Sequence, residues 1–133
     1  MLIPATRYRD PEAALAFLRD VLGLTEHAVH RDADGRIVHV EMALGTGLMM
    51  FGPDSDSPFQ QYMVHPDQTE GRETTTIYAV IDDLETRYAR CLAAGVKVLM
   101  PLENQSYGGA NFTVADPEGH VWSFGDYDPR GAG

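Results

Sequence analysis

The sequence predicts an α+β fold built from two βαβββ modules, and three observations predict it. Two amphipathic segments of equal length each open on aspartate and end on glycine, Asp10 to Gly23 and Asp82 to Gly95. Each is preceded by a short strand candidate and followed by strand-like material that ends in a hairpin. The hairpins superpose at a shift of 73 residues, Phe51-Gly52 on Phe124-Gly125, one residue from the shift of the helical segments. At 133 residues the chain is read as a single domain over 1–133, long enough to bury a core and too short for two independent ones.

Taken in order, LIPATRY is the first strand candidate. Asp10 then caps a helix whose apolar residues Leu15, Leu18, Val21 and Leu22 recur at helical spacing, and Gly23 stops it. RIVHVEMAL, the turn GTG and LMMFG form the first hairpin, so module one runs over 2–53. Residues 54–72 are a polar, proline-bearing connector. Module two, 73–127, repeats the order: TTTIYAVI, then Asp82-Asp83 ahead of a helix with Leu84, Tyr88, Cys91 and Leu92 on its apolar stripe, then ANFTVA, the turn DPEG and HVWSFG. A tail occupies 128–133. One module alone would leave a sheet face uncovered, so the two are expected to close against each other.

Composition narrows the function. Ten basic against twenty acidic residues give a net charge of −10, which argues against a nucleic-acid partner, because phosphate neutralisation needs concentrated Lys and Arg. The same sign suits a cationic ligand and also simply keeps a protein soluble. No apolar run approaches a membrane span and the N-terminus lacks a leader pattern, so a cytoplasmic location is expected. Cys91 is the single cysteine, which rules out an intramolecular disulfide and a cysteine-built metal site.

Paired βαβββ modules, the D…LG and D…AAG helices and the late DPEGHVW resemble the glyoxalase/bleomycin-resistance/extradiol-dioxygenase superfamily, the vicinal oxygen chelate proteins, over residues 2 to 127. The YGG…DPEGHVWSF region looks most like its PhnB-like or bleomycin-resistance-like branch. The resemblance implies two modules forming a cupped mixed sheet. It also implies, for the enzymes of the group, a divalent metal held by His, Glu or Gln at positions that fall here on Ile3, Met50, Thr76 and Ser123. None of these is a convincing ligand, since hard and borderline cations take carboxylate or imidazole and a thioether suits soft metals. No metal, cofactor or catalytic residue is therefore expected.

Other chemistries are weaker. His39 and Glu41 alternate on one strand face, a spacing compatible with a metal pair or an acid/base pair, but no third ligand is visible in the sequence. His27 and His30 lead into the polar turn RDADGR and read as solvent-exposed; His65 lies in the connector, and His120 reads as a local hydrogen-bonding residue. The glycines of ALGTGL and YGGAN lack the strand-to-helix setting of a phosphate loop. Cys91 reads as inert core, and no serine sits in a nucleophile elbow.

Alternation then assigns a ligand pocket. Ile3, Ala5 and Arg7 form one wall, Leu48 and Met50 a second, Thr76, Tyr78 and Val80 a third, Val121 and Ser123 a fourth. Met49, Phe51, Ile77, Ile81, Trp122 and Phe124 face the other way, beneath the helices. Phe59 and Tyr62 in the connector and Tyr107 in NQSYGGAN are placed to stack on a flat ligand, each ring adding about 0.5–1.5 kcal/mol beyond burial. The ligand-binding set is thus Arg7, Leu48, Met50, Phe59, Tyr62, Thr76, Tyr78, Tyr107 and Ser123. An arginine facing an apolar cup needs a carboxylate such as Glu41, or the ligand itself, as partner. The function expected is metal-independent binding of a hydrophobic or aromatic small molecule, as bleomycin-resistance members do for their drugs, by a homodimer. The alternative is a glyoxalase-like lyase, isomerase or dioxygenase with atypical ligands, or a metal-free catalyst using His39, Glu41 or Tyr78.

Overall fold

A computed structural model describes residues 1–106 and 108–131. The chain divides into two compact units, Met1–Arg72 and Glu73–Gly133. Each carries one helix on one four-stranded mixed sheet, the α+β arrangement anticipated from the repeat.

In the first unit the elements run β1 (Ala5–Arg7), α1 (Pro11–Asp20), β2 (Thr25–Arg31), β3 (Ile37–Leu44) and β4 (Gly47–Gly52). The Asp10 carboxylate accepts the Ala13 N–H at 3.0 Å, and Pro11 opens the helix where no N–H is missed. At the far end Leu24 N–H reaches the Leu18 carbonyl at 2.9 Å while Gly23 adopts φ +80°, the left-handed conformation that reverses the chain at little cost to glycine. Ala14, Leu15 and Leu18 on α1 are buried together with Ile37, Val40, Met42, Met49 and Phe51 of the sheet, and Tyr8 meets Phe51 edge-on at 5.0 Å. The sheet order is β1-β4-β3-β2, with β1 parallel to β4 and the other pairs antiparallel.

The first strand is shorter than the sequence suggests. Met1 to Pro4 lie outside it, although the Pro4 carbonyl still accepts the Met50 N–H at 2.9 Å. The connector is more ordered than its polarity implies, because it forms two 3-10 turns, Pro58–Tyr62 and Pro66–Thr69. Both Asp54 carboxylate oxygens lie on the buried His65 Nε2, at 2.7 and 2.9 Å, and Gln60 Nε2 donates to Asp54 at 3.1 Å. Polar bonds here take the place of an apolar core.

The second unit repeats the plan with β5 (Ile77–Val80), α2 (Leu84–Ala93), β6 (Lys97–Asn104), β7 (Ala110–Ala115) and β8 (Val121–Gly125), ordered β5-β8-β7-β6. The helices start 73 residues apart, at Pro11 and Leu84, and end 73 apart, at Asp20 and Ala93. The N-cap is therefore Asp83, which engages Arg87 one turn on at 3.1 Å instead of capping with its side chain. The one-residue discrepancy in the repeat falls after the helix, where Gly95 answers Gly23.

The buried stripe of α2 is Leu84, Arg87 and Cys91, whereas Leu92 is 52% exposed. Arg87 takes an inward place because its aliphatic stem lies along the core and its guanidinium sits 5.8 Å over the Phe124 ring. Trp122, Phe124, Phe112 and Val114 fill the space under α2, with Phe112 and Phe124 stacked at 5.3 Å. The inward set expected for the sheets holds for Met49, Phe51, Ile81, Trp122 and Phe124; Ile77 is half-buried. Among the described residues no helix is long and apolar enough to cross a membrane.

Candidate functional site

Register places the predicted wall residues on the sheet faces turned away from the helices. In the first unit Ala5 on β1 lies beside Met50 on β4, Met50 beside Glu41 on β3, and Glu41 beside Ala28 on β2. The next row runs from Arg7 through Gly52 toward His39 and His30. Leu48 and Met50 are half-buried and give this face its apolar part. Arg7 donates from Nη1 to the Pro53 carbonyl at 3.0 Å. The sequence allowed Glu41, another carboxylate or a ligand as its partner; here Gly52, directly beside Arg7, lacks a side chain, and the guanidinium lies along the end of β4.

Glu41 instead has imidazole neighbours. His39 Nε2 stands 3.1 Å from its Oε2, His27 Nε2 stands 3.9 Å from its Oε1, and the His30 ring lies 5.7 Å from that of His39. The sequence reading kept His27 and His30 apart from the His39/Glu41 pair. The signal that joins them is the antiparallel register of β2 on β3, with a bulge between Glu26 and Ala28 that turns His27 toward Glu41. Strand periodicity of either segment alone does not contain it.

In the second unit Tyr78 on β5 lies beside Ser123 on β8, and Ser123 beside Thr113 on β7. The polar handles here are engaged within the unit. Ser123 Oγ and Thr113 Oγ1 are 2.7 Å apart, and the Tyr78 hydroxyl donates to the Tyr127 carbonyl at 2.7 Å, with its ring laid over Gly125. Thr76 precedes β5 and is exposed, so it stands at the strand entrance and not on a wall. His120 bonds locally, its backbone N–H donating to the Asp116 carboxylate at 3.0 Å, and its ring Nδ1 also stands 2.8 Å from Glu73, 47 residues away in sequence.

Phe59 and Tyr62 stand on the first 3-10 turn, 60% and 75% exposed, edge-on at 6.0 Å. Tyr107 lies outside the described residues. The second unit also carries a groove of about 610 Å³ between the start of α2 and the β6 end, lined by Asp82, Asp83, Glu85, Glu103 and Asp126 among others. No sequence pattern pointed to it.

The four positions implied for a metal carry few donors. Ile3 and Thr76 lie just outside β1 and β5, and Met50 and Ser123 occupy matching places on β4 and β8. The donors present are a thioether and two hydroxyls, one of them already bonded to Thr113, and this set does not fit a hard or borderline cation. Among the described residues no group of three His, Cys, Asp or Glu side chains is disposed to hold one. Cys91 is fully buried, and burial pushes its thiol above the ordinary range, away from the thiolate a nucleophile needs.

A paired βαβββ repeat with this register is matched over residues 4–124 by the family model for the Glyoxalase/Bleomycin resistance protein/Dioxygenase superfamily. The chain belongs to that superfamily. Among solved structures, TioX from Micromonospora sp. ML1 is similar at 27% identity, covering 94% of each chain with a TM-score of 0.74. The fosfomycin resistance protein FosX from Listeria monocytogenes shares the superfamily fold at 13% identity, TM-score 0.67, over 98% of this chain and 94% of its own. Among curated relatives, Uncharacterized protein Mb0911c of Mycobacterium bovis is 30% identical over 92 residues, 69% of this chain and 60% of its own length. Two Mycobacterium tuberculosis proteins match over 54% of theirs, so the chain spans roughly half to three fifths of the curated relatives.

Proposed function

We propose that this superfamily member is a metal-independent small-molecule-binding protein that sequesters a hydrophobic or aromatic compound, an antibiotic being the natural class for the bleomycin-resistance-like branch. The observation that carries the reading is the donor chemistry at the four family positions. Isoleucine, methionine, threonine and serine stand where ligation needs imidazole or carboxylate, two of them just ahead of β1 and β5 and two at matching places on β4 and β8. A face combining Leu48 and Met50 with a few fixed polar groups has the composition of an organic-ligand site. The exposed Phe59–Tyr62 pair supplies aromatic surface for a flat compound. The FosX likeness bears on fold alone.

The ligand set proposed is Arg7, Leu48, Met50, Phe59, Tyr62, Thr76, Tyr78, Tyr107 and Ser123, in a cytoplasmic homodimer. Native mass spectrometry with elemental analysis, followed by a thermal-shift screen of antibiotics, natural products and flavins, tests it. Metal-free dimers stabilised by an aromatic compound are the expected result. One equivalent of metal per chain, or activity restored by nickel, zinc, manganese or iron, would replace the binder with a glyoxalase-like enzyme. The His39–Glu41 pair, at 3.1 Å, is an arrangement that favours a metal-free catalyst instead. Turnover abolished by Glu41→Gln in metal-free protein would identify it.

A further inference from the structure

The two repeats treat one position in opposite ways. Glu41 on β3 lies beside Met50 on β4, and the equivalent pair in the second unit is Thr113 on β7 beside Ser123 on β8. There the hydroxyls satisfy each other at 2.7 Å. Here a carboxylate stands next to a thioether, which offers it no hydrogen. Its hydrogen-bonding and ion-pair neighbours are His39 and His27, and among the described residues no arginine or lysine pairs with it. Imidazole carries no permanent charge. The Glu41 side chain is only 29% exposed, so its negative charge sits on a half-covered apolar face without a fixed counter-ion, which is costly unless a cation arrives.

We infer that Glu41 is the anchor for a protonated amine of the ligand, and that the compound bound on the first unit's open face is an organic cation whose apolar body rests on Met50 and Leu48. This deepens the binder reading and rests on it. The net charge of −10 acts in the same direction by raising the local concentration of cations. His39 and His27, on either side of the carboxylate, would orient it and accept further hydrogens from the amine.

The probes are proflavine, a flat cationic acridine, and acridine-9-carboxylate, its anionic counterpart, titrated calorimetrically into the full chain. Proflavine is expected to bind about tenfold to a hundredfold more tightly, the range of a charge-assisted hydrogen bond. Glu41→Gln should remove that gap while leaving the carboxylate probe's affinity unchanged, with an unaltered melting temperature showing that the fold persists. Should E41Q unfold, Glu41→Asp, which keeps the charge on a shorter stem, must retain the preference for proflavine. Equal affinity of the two probes, or a gap that survives in E41Q, overturns the cation anchor and leaves the binder standing. Failure of both probes to bind at about millimolar concentration also overturns the anchor. The binder reading fails separately, if the compound screen finds no stabilising molecule.

Discussion

Replacing Asp116 by alanine tests how the DPEG turn is held, and its cost follows from the bonds lost. Asp116 Oδ1 accepts the backbone N–H groups of Glu118 at 3.1 Å and His120 at 3.0 Å, and Oδ2 accepts the indole N–H of Trp122 at 3.1 Å. Asp116 is 4% exposed and Trp122 1%, so the indole donor cannot turn to water, and His120 is buried as well. Glu118 is half-buried and recovers part of its loss from solvent. Two stranded buried donors at about 1–3 kcal/mol each, less the relief of burying no carboxylate, give about 1–5 kcal/mol. That is a large share of the roughly 5–15 kcal/mol of a typical domain. Asp116→Asn keeps an acceptor for the turn but points an amide toward the indole, and about half that loss is expected. Trp122 is the only tryptophan, so its fluorescence in a urea titration reads the transition at the turn itself. A D116A loss below about 1 kcal/mol at unchanged denaturant slope would refute the view that this carboxylate organises the end of the repeat.

Three further outcomes are expected. A Cβ built on Gly125 would stand 2.5 Å from the Tyr78 hydroxyl, so Gly125→Ala should displace the ring and break its bond to Tyr127; the loss in the Tyr78→Ala, Gly125→Ala double variant should then fall short of the sum of the single losses, and strict additivity in a thermal-unfolding cycle would contradict the contact. Cys91 should resist a thiol reagent such as DTNB in native protein and react on unfolding, because burial both hides the sulfur and raises its thiol above the ordinary range; stoichiometric labelling of native protein would disprove this. Hydrogen bonds from Arg31, Arg19 and Arg9 hold the carboxyls of Glu12, Asp20 and Asp67 below their usual range. Folded values below the unfolded ones mean a contribution present above the ordinary carboxylate range and lost as pH falls through the depressed values. Melting temperature should therefore decline into acid, and more weakly in high salt because these pairs are exposed.

How much of this was legible in the sequence depends on the range of the interaction concerned. Helix caps, glycine stops and strand alternation are local, and they placed α1, the hairpins and the buried set around Phe51, Trp122 and Phe124. The repeat gives the 73-residue correspondence of the strands, yet pairing Asp10 with Asp82 shifts the whole of α2 by one residue, since Asp82 and Asp83 are chemically alike and only backbone geometry separates them. Apolar character alone puts Leu92 on the inward stripe, but Arg87 takes a place there through Phe124, a contact between distant segments that periodicity cannot express. The union of His27 and His30 with His39 and Glu41 needed the bulged register of β2 on β3, and the order in the connector needed the Asp54–His65 bond across 11 residues.

The repeat also explains why the first unit is the better place to look for a ligand. Gly52 and Gly125 close equivalent strands, each at the parallel partner's side, and in both a missing side chain admits a neighbour. At Gly125 the neighbour is the Tyr78 ring, which spreads over the end of β8 and ties its hydroxyl to Tyr127. The residue matching Tyr78 in the first unit is Ala5, which carries nothing to spread. The ring that caps one sheet is thus missing from the other, beside a thioether at Met50 and a carboxylate at Glu41 that the strand pairing does not satisfy. One was closed with an aromatic ring and paired hydroxyls, and the other was left with a small residue and a carboxylate beside a thioether, the asymmetry from which the cation anchor at Glu41 is inferred.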